Sequence, residues 1–152
     1  MLIIHAVVSF AVSSTNRPGA EDLQNQADAV VDNSSPSRRI IVVDDTRASA
    51  FILGRLLEVL GHDVAVCYDA RSALRAALNE PPEIIFSDIA MPDVDGYEFA
   101  QQVRSQPSLS QVKLVALTGY DGENDRKLAY AAGFDHHLVK PVTLEALLSL
   151  LS

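Results

Sequence analysis

The stretch Ile84-Ile85-Phe86-Ser87-Asp88-Ile89-Ala90-Met91-Pro92 decides the reading of this chain. Its leading apolar run is mostly β-branched and stands between Pro81-Pro82 and Pro92, the pattern of a short strand buried on both faces. An acid, Asp88, stands where that strand ends. An isolated carboxylate there is costly to desolvate unless a partner meets it, so function turns on what the chain brings to Asp88.

Upstream, Ile40-Ile41-Val42-Val43 is a second β-branched run, and it too ends in acids, Asp44-Asp45. Phe51, Ile52, Leu53, Leu56, Leu57 and Leu60 then recur at helical spacing up to Gly61, where the helix stops on a left-handed residue. Val64-Ala65-Val66 reads as a strand, and Ala70, Ala73, Leu74, Ala77 and Leu78 as the stripe of a second helix ended by Pro81-Pro82. Downstream, Asp95 and Glu98 have capping-box spacing for a helix running to about Ser105. A strand over 112–117 follows and ends at Thr118-Gly119; a polar helix from about Asp121 stops at Gly133. The fifth strand, 135–139, ends at Lys140-Pro141, and Thr143 caps a last helix with Leu144, Leu147, Leu148 and Leu151 on one face.

Five alternations of strand and helix predict an α/β fold: a doubly wound, five-stranded parallel sheet with right-handed crossovers and helices on both faces. The flavodoxin-like order 2-1-3-4-5 suits five strands, and ligands of such sheets bind outside the carboxyl ends of the strands. There stand Asp44-Asp45, Asp88, Thr118 and Lys140. Three neighbouring carboxylates repel one another, so the site calls for a cation, and hard oxygen ligands favour Mg²⁺. Asp88 can then act as a carboxylate nucleophile that forms an aspartyl phosphate, while Lys140 and Thr118 contact phosphoryl oxygens. Each residue alone has an ordinary structural use, as a turn, a cap or a solvated lysine. Their placement at the same end of successive strands is what singles them out.

Asp44-Asp45, Asp88 with Met91-Pro92 and Asp95-Gly96, Thr118-Gly119 and Lys140-Pro141 resemble the receiver domain of two-component response regulators in residue type, order and spacing. The stretches 117–120 and 134–141 are most similar to C-terminal receivers of hybrid sensor histidine kinases. The resemblance implies that Asp88 accepts a phosphoryl group from a histidine kinase or a histidine phosphotransfer protein. It implies that Asp45, Asp88 and the backbone carbonyl of Ala90 hold Mg²⁺, with Asp44 acting through water, and that the Lys140-Pro141 bond is cis. It further implies a switch in which Thr118 moves toward the phosphoryl group and reshapes the face of the fourth helix, fifth strand and fifth helix, a possible homodimer surface. His137 stands in the switch position, three residues before the lysine, where many receivers carry another aromatic. His136 and His137 are expected on opposite faces of a strand and hence not on one metal ion.

Two alternatives compete. A receiver-like interaction module that is never phosphorylated would usually lack part of the acid pair, the acceptor or the lysine, all present here. A haloacid-dehalogenase-like phosphatase needs a second Asp two residues after its nucleophile, where this chain has Ala90. A phosphoacceptor limited to its own phosphorylation and dephosphorylation, rather than a metabolic enzyme, is expected.

The chain has 152 residues, of which 48 % are hydrophobic and 21 % charged, enough for one domain with a real core. Twenty acids against 12 Lys and Arg leave a formal charge of −8, which disfavours nucleic acid as a partner. A single cysteine, Cys67, fits a reducing, cytoplasmic setting. The apolar opening, Met1 to Val12, has no preceding Lys or Arg and is shorter than the ~20 residues that span a membrane, so neither a secretory signal nor membrane insertion is expected. Residues 1–37 read as an apolar N-terminal segment and flexible linker, in which 20–31 could form a short helix, and 38–152 as the receiver domain.

Overall fold

A computed structural model describes residues 35–152; the apolar opening, most of the linker and the short helix expected over 20–31 lie outside the described residues. Five strands form one parallel sheet: β1 (Arg39–Val43), β2 (Asp63–Cys67), β3 (Ile84–Asp88), β4 (Lys113–Thr118) and β5 (His136–Val139). Their order is β2-β1-β3-β4-β5, as expected for the flavodoxin-like arrangement. The helices between and after them are α1 (Arg47–Val59), α2 (Ala70–Asn79), α3 (Gly96–Arg104), α4 (Glu123–Ala132) and α5 (Leu144–Leu151).

Strand alternation divides the core into two layers. Ile41, Val43, Ile85, Leu114 and Ala116 pack with Ala73 and Ala77 of α2, Phe99 and Val103 of α3 and Ala129 of α4. Ile40, Val42, Phe86, Val115 and Leu117 pack with Leu53 and Leu57 of α1 and Leu147 and Leu151 of α5. Because β1, β3 and β4 are covered on both sides, their apolar runs (Ile40–Val43, Ile84–Phe86 and Leu114–Leu117) lack the polar alternate of a half-exposed strand, the feature that made them legible as strands.

Local punctuation follows the sequence closely. The chain turns left-handed at Gly61 (φ 94°) and Gly133 (φ 115°), after α1 and α4. Asp95 caps α3 by accepting the Glu98 N–H at 2.9 Å, and Thr143 caps α5 by accepting the Ala146 N–H at 3.2 Å. Two edges differ from expectation. The fourth helix begins at Glu123 behind Gly122, and β5 begins at His136. Asp135 instead braces the start of the strand pair, accepting the Leu114 N–H at 2.8 Å and the Arg104 guanidinium at 2.7 Å.

The expected helix faces need correction. In α1 the buried positions are Ala50, Leu53, Gly54 and Leu57, while Phe51 and Ile52 are 61 % and 57 % exposed. Close packing explains the glycine: a Cβ on Gly54 would stand 2.7 Å from Val66 Cγ2, so no side chain is accommodated there and Leu53 and Leu57 supply the apolar contact beside it. Leu78 in α2, and Leu144 and Leu148 in α5, are likewise exposed, leaving Ala77, Leu147 and Leu151 inside.

Candidate functional site

Every strand-end residue singled out in the sequence, apart from the more distant His137, comes to one place. Asp44 and Asp45 follow β1, Asp88 ends β3, Thr118 ends β4, and Lys140 follows β5 directly. Asp44, Asp88 and Thr118 are buried while Asp45 is exposed. Carboxylate oxygens of Asp44, Asp45 and Asp88, one from each, lie within 4.8 Å of one another.

Backbone pairing sets these positions. The Ile89 N–H donates to the Leu117 carbonyl at 3.1 Å and the Lys140 N–H to the Thr118 carbonyl at 2.7 Å, extending the sheet past its regular ends. The Thr46 N–H donates to Asp44 Oδ1 at 2.9 Å, so the turn into α1 holds that carboxylate. Its other oxygen accepts Lys140 Nζ at 2.9 Å, and Asp88 Oδ1 lies 3.2 Å from the same ammonium. The Lys140–Pro141 peptide is cis.

Charge follows from this packing. Burial pushes the Asp88 carboxyl above the usual carboxylate range; Lys140 opposes that shift and the Asp44 and Asp45 charges add to it. Burial alone would depress Lys140, but the Asp44 hydrogen bond and the Asp88 and Asp44 charges outweigh it and raise the ammonium's pKa. Three carboxylates against one ammonium leave two negative charges uncompensated. An all-oxygen donor set with that deficit fits a hard divalent cation. The Ala90 carbonyl takes no backbone hydrogen bond from the described residues, which leaves it available as a further oxygen.

Thr118 is at the site, but its hydroxyl belongs to the loop: Oγ1 accepts the Tyr120 N–H at 3.1 Å. His137 lies in β5 on the layer facing α4, with both ring nitrogens shut off from solvent and without a hydrogen-bond partner among the described residues. Leu138 packs in the opposite layer, so His136 and His137 do face opposite ways.

Two contributors were not singled out by chemistry. Gly96 opens α3 so close to β3 that a Cβ would stand 2.6 Å from the Asp88 carbonyl oxygen and from Ile89 Cα. Its signal in the sequence was the glycine directly behind the Asp95 cap. The loop between them places Asp93 at φ 66°, a left-handed conformation that Asp tolerates better than most residues.

A family model described as the response regulator receiver domain matches residues 40–152. Response regulator MprA of Mycolicibacterium vanbaalenii is 37 % identical over 73 % of this chain and 47 % of its own length. The signal transduction histidine-protein kinase BarA of Escherichia coli is 30 % identical over 84 % of this chain but only 14 % of its own. The chain thus spans less than half of either relative. Among solved structures, the receiver domain of sensor histidine kinase PA1611 from Pseudomonas aeruginosa, with magnesium coordinated in its active-site cleft, superposes with a TM-score of 0.70 at 28 % identity, covering 76 % of this chain and 95 % of that one. The co-crystal structure of the Saccharomyces cerevisiae histidine phosphotransfer protein Ypd1 with the receiver domain of Ssk1 matches with a TM-score of 0.70 at 26 % identity, covering 77 % of this chain and 88 % of the other.

Proposed function

Because this chain belongs to the response regulator receiver domain family, a family of signalling modules, we propose that Asp88 is its phosphoacceptor, loaded by a histidine kinase or histidine phosphotransfer protein. The observation that carries the reading is the convergence of Asp44, Asp45, Asp88 and Lys140 outside the ends of β1, β3 and β5.

In the reaction, a carboxylate oxygen of Asp88 attacks phosphorus, an O–P bond forms, and the P–N bond to the donor imidazole breaks with its electron pair returning to nitrogen. Lys140, already placed between Asp44 and Asp88, balances charge on a phosphoryl oxygen. Asp44, Asp45, Asp88 and the Ala90 carbonyl would hold Mg²⁺. When bound, the ion supplies neutralisation of the charge that accumulates on the transferring group. Thr118 gives up the Tyr120 N–H to reach the phosphoryl group, which moves the β4–α4 loop and the α4–β5–α5 face. Leu128, Tyr130, Leu144 and Leu148 are exposed on α4 and α5 and suit that face to a homodimer or a downstream partner.

The donor must cover the carboxyl ends of the strands to reach Asp88, and α1 starts there. The exposed Phe51, Ile52 and Val59 offer it an apolar row, which we assign to the donor's helices. With Ala90 in place of a second acid, turnover of small phosphate esters is not expected; the chemistry stays at self-phosphorylation and self-dephosphorylation. Residues 38–152 form the receiver and 1–37 its N-terminal segment and linker in this reading, and the setting is cytoplasmic; no helix among the described residues is long and apolar enough to cross a membrane.

Intact-mass spectrometry after incubation with acetyl phosphate tests the assignment. One added phosphoryl group that requires both Mg²⁺ and Asp88, and is absent from Asp88→Asn, supports it. No addition to folded protein would point to an interaction module that is never phosphorylated.

A further inference from the structure

We propose that His137 is a proton-operated latch under α4: neutral and inward in the resting domain, and drawn out toward Asp121 and Asp125 when protonated. His137 pairs with Ala116 across the β4–β5 ladder, and Ala116 belongs to the core layer beneath α2, α3 and α4. Its ring therefore lies on the α4 side, where both nitrogens are sealed from solvent with nothing to bond. A neutral imidazole carries one donor and one acceptor, so the resting position leaves two polar atoms unsatisfied. Moving outward costs the ring its burial but breaks no hydrogen bond among the described residues.

The charged groups around it are few. Asp121 in the β4–α4 loop is exposed and ion-paired with Arg126 of α4, and Asp125 is partly buried in the first turn of that helix. Their charges favour the imidazolium, whereas Arg126 opposes it. On β4 the neighbour is Ala116; on β5, His136 is exposed and Lys140 is committed to Asp44 and Asp88. Tyr130 of α4 shares a cleft of about 370 Å³ with His136 and His137, and the α5 residues lining it, Ala146, Ser149 and Leu150, are uncharged.

Burial first, and Arg126 second, hold the His137 pKa below its ordinary value, so at neutral pH the ring is uncharged. Neutral His137 contributes stability above the unfolded pKa, and this is lost as pH falls through the depressed value. The ring can avoid that loss by moving outward, where an imidazolium at Asp121 competes with Arg126 for the same carboxylate. Acid then loosens the first turn of α4 and the loop leading back to Thr118. This device is independent of phosphoryl transfer and is tested without it.

The experiment is an NMR pH titration of the unphosphorylated full chain, following the ring signals of His5, His62, His136 and His137 and the amides of α4. Single His→Gln variants assign the rings. The expected result is a His137 midpoint below the ordinary histidine value of about 6.5, with Arg126 and Tyr130 amides shifting at the His137 midpoint and losing that shift in His137→Phe. A His137 midpoint at or above that ordinary value, or α4 shifts that persist in His137→Phe, would overturn the proposal. If His137→Phe does not give a native spectrum, the surface variant Asp121→Asn with Asp125→Asn serves: the His137 midpoint should fall further, and an unchanged midpoint would sink the idea.

Discussion

Lys140 Nζ bonds Asp44 Oδ2 at 2.9 Å, joining residues 96 apart in sequence at the carboxyl end of the sheet. Asp44 is almost fully buried, so its charge depends on this one ammonium and on the Thr46 N–H. The contact ties the two ends of the pocket together, and it leaves Lys140 within 3.2 Å of Asp88 as well.

Lys140→Met should therefore destabilise the domain by roughly 1–3 kcal/mol, because buried carboxylates lose their cation. The raised Lys140 pKa means that its contribution is fully present below the unfolded value and is lost only as pH rises through the folded one. Thermal melts at several pH values check both points: the gap between variant and wild type should hold across the neutral range and close only under strongly alkaline conditions.

Asp88→Asn should act in the opposite direction. Since burial raises the Asp88 pKa, the neutral acid supports the fold at pH below the unfolded value, and that support is lost as pH rises through the folded value. At pH 7 the charged group is a burden, and the amide should raise Tm by about 4 °C, equivalent to roughly 1 kcal/mol in a domain of this size. A lower Tm at pH 7 for the variant would contradict this account of the site's electrostatics.

Mg²⁺ should raise Tm in a concentration-dependent way, since a ligand of the native state stabilises it by mass action. Asp45→Asn removes an exposed carboxylate that nothing in the core requires, and should reduce the Mg²⁺-induced shift with little change in the metal-free Tm. An unaltered shift would take Asp45 out of the metal shell.

Gly96→Ala tests the close approach of α3 to the end of β3. The added methyl meets the Asp88 carbonyl and Ile89 Cα at 2.6 Å, both backbone atoms, so the helix or the strand end must move. A loss of roughly 1–3 kcal/mol is expected, with slower labelling of Asp88 by acetyl phosphate. Chemical denaturation and timed intact-mass measurements read the two effects separately.

Ile52→Asp, alone or with Phe51→Glu, should slow loading by a phosphorylated histidine phosphotransfer protein about tenfold or more, as expected for removal of an apolar contact worth ~1.4 kcal/mol. Loading by acetyl phosphate, which needs no docking surface, should be unchanged. Equal slowing with both donors would locate the damage in the pocket instead of on α1.

The strand ends were legible because sequence and chemistry coincide there. A run such as Ile40–Val43 can only be a covered strand, and the acids behind it have no reason to sit in a turn together unless something binds them. The helix faces were less legible. Phe51 and Ile52 are the most apolar residues at the start of α1, yet they are exposed while Gly54 lies against the sheet, where a Cβ would meet Val66 Cγ2 at 2.7 Å. Hydropathy reports what a residue would gain from burial; it does not report the width of the space available. Leu144 and Leu148 belong to the same class, with Leu147 and Leu151 taking the limited room under α5.

By itself the sequence determined the order of five strands and helices, the family, and the residues offered at the carboxyl ends of the strands, because periodicity and the punctuation of Gly, Pro and Asp are local properties. Tertiary structure alone decided which atoms meet: Lys140 with both Asp44 and Asp88, Thr118 tied to Tyr120, Gly96 pressed against the Asp88 backbone, and His137 turned under α4 with no partner among the described residues. Those contacts join residues as many as 96 positions apart, and their distances depend on how closely layers pack, which no local pattern encodes.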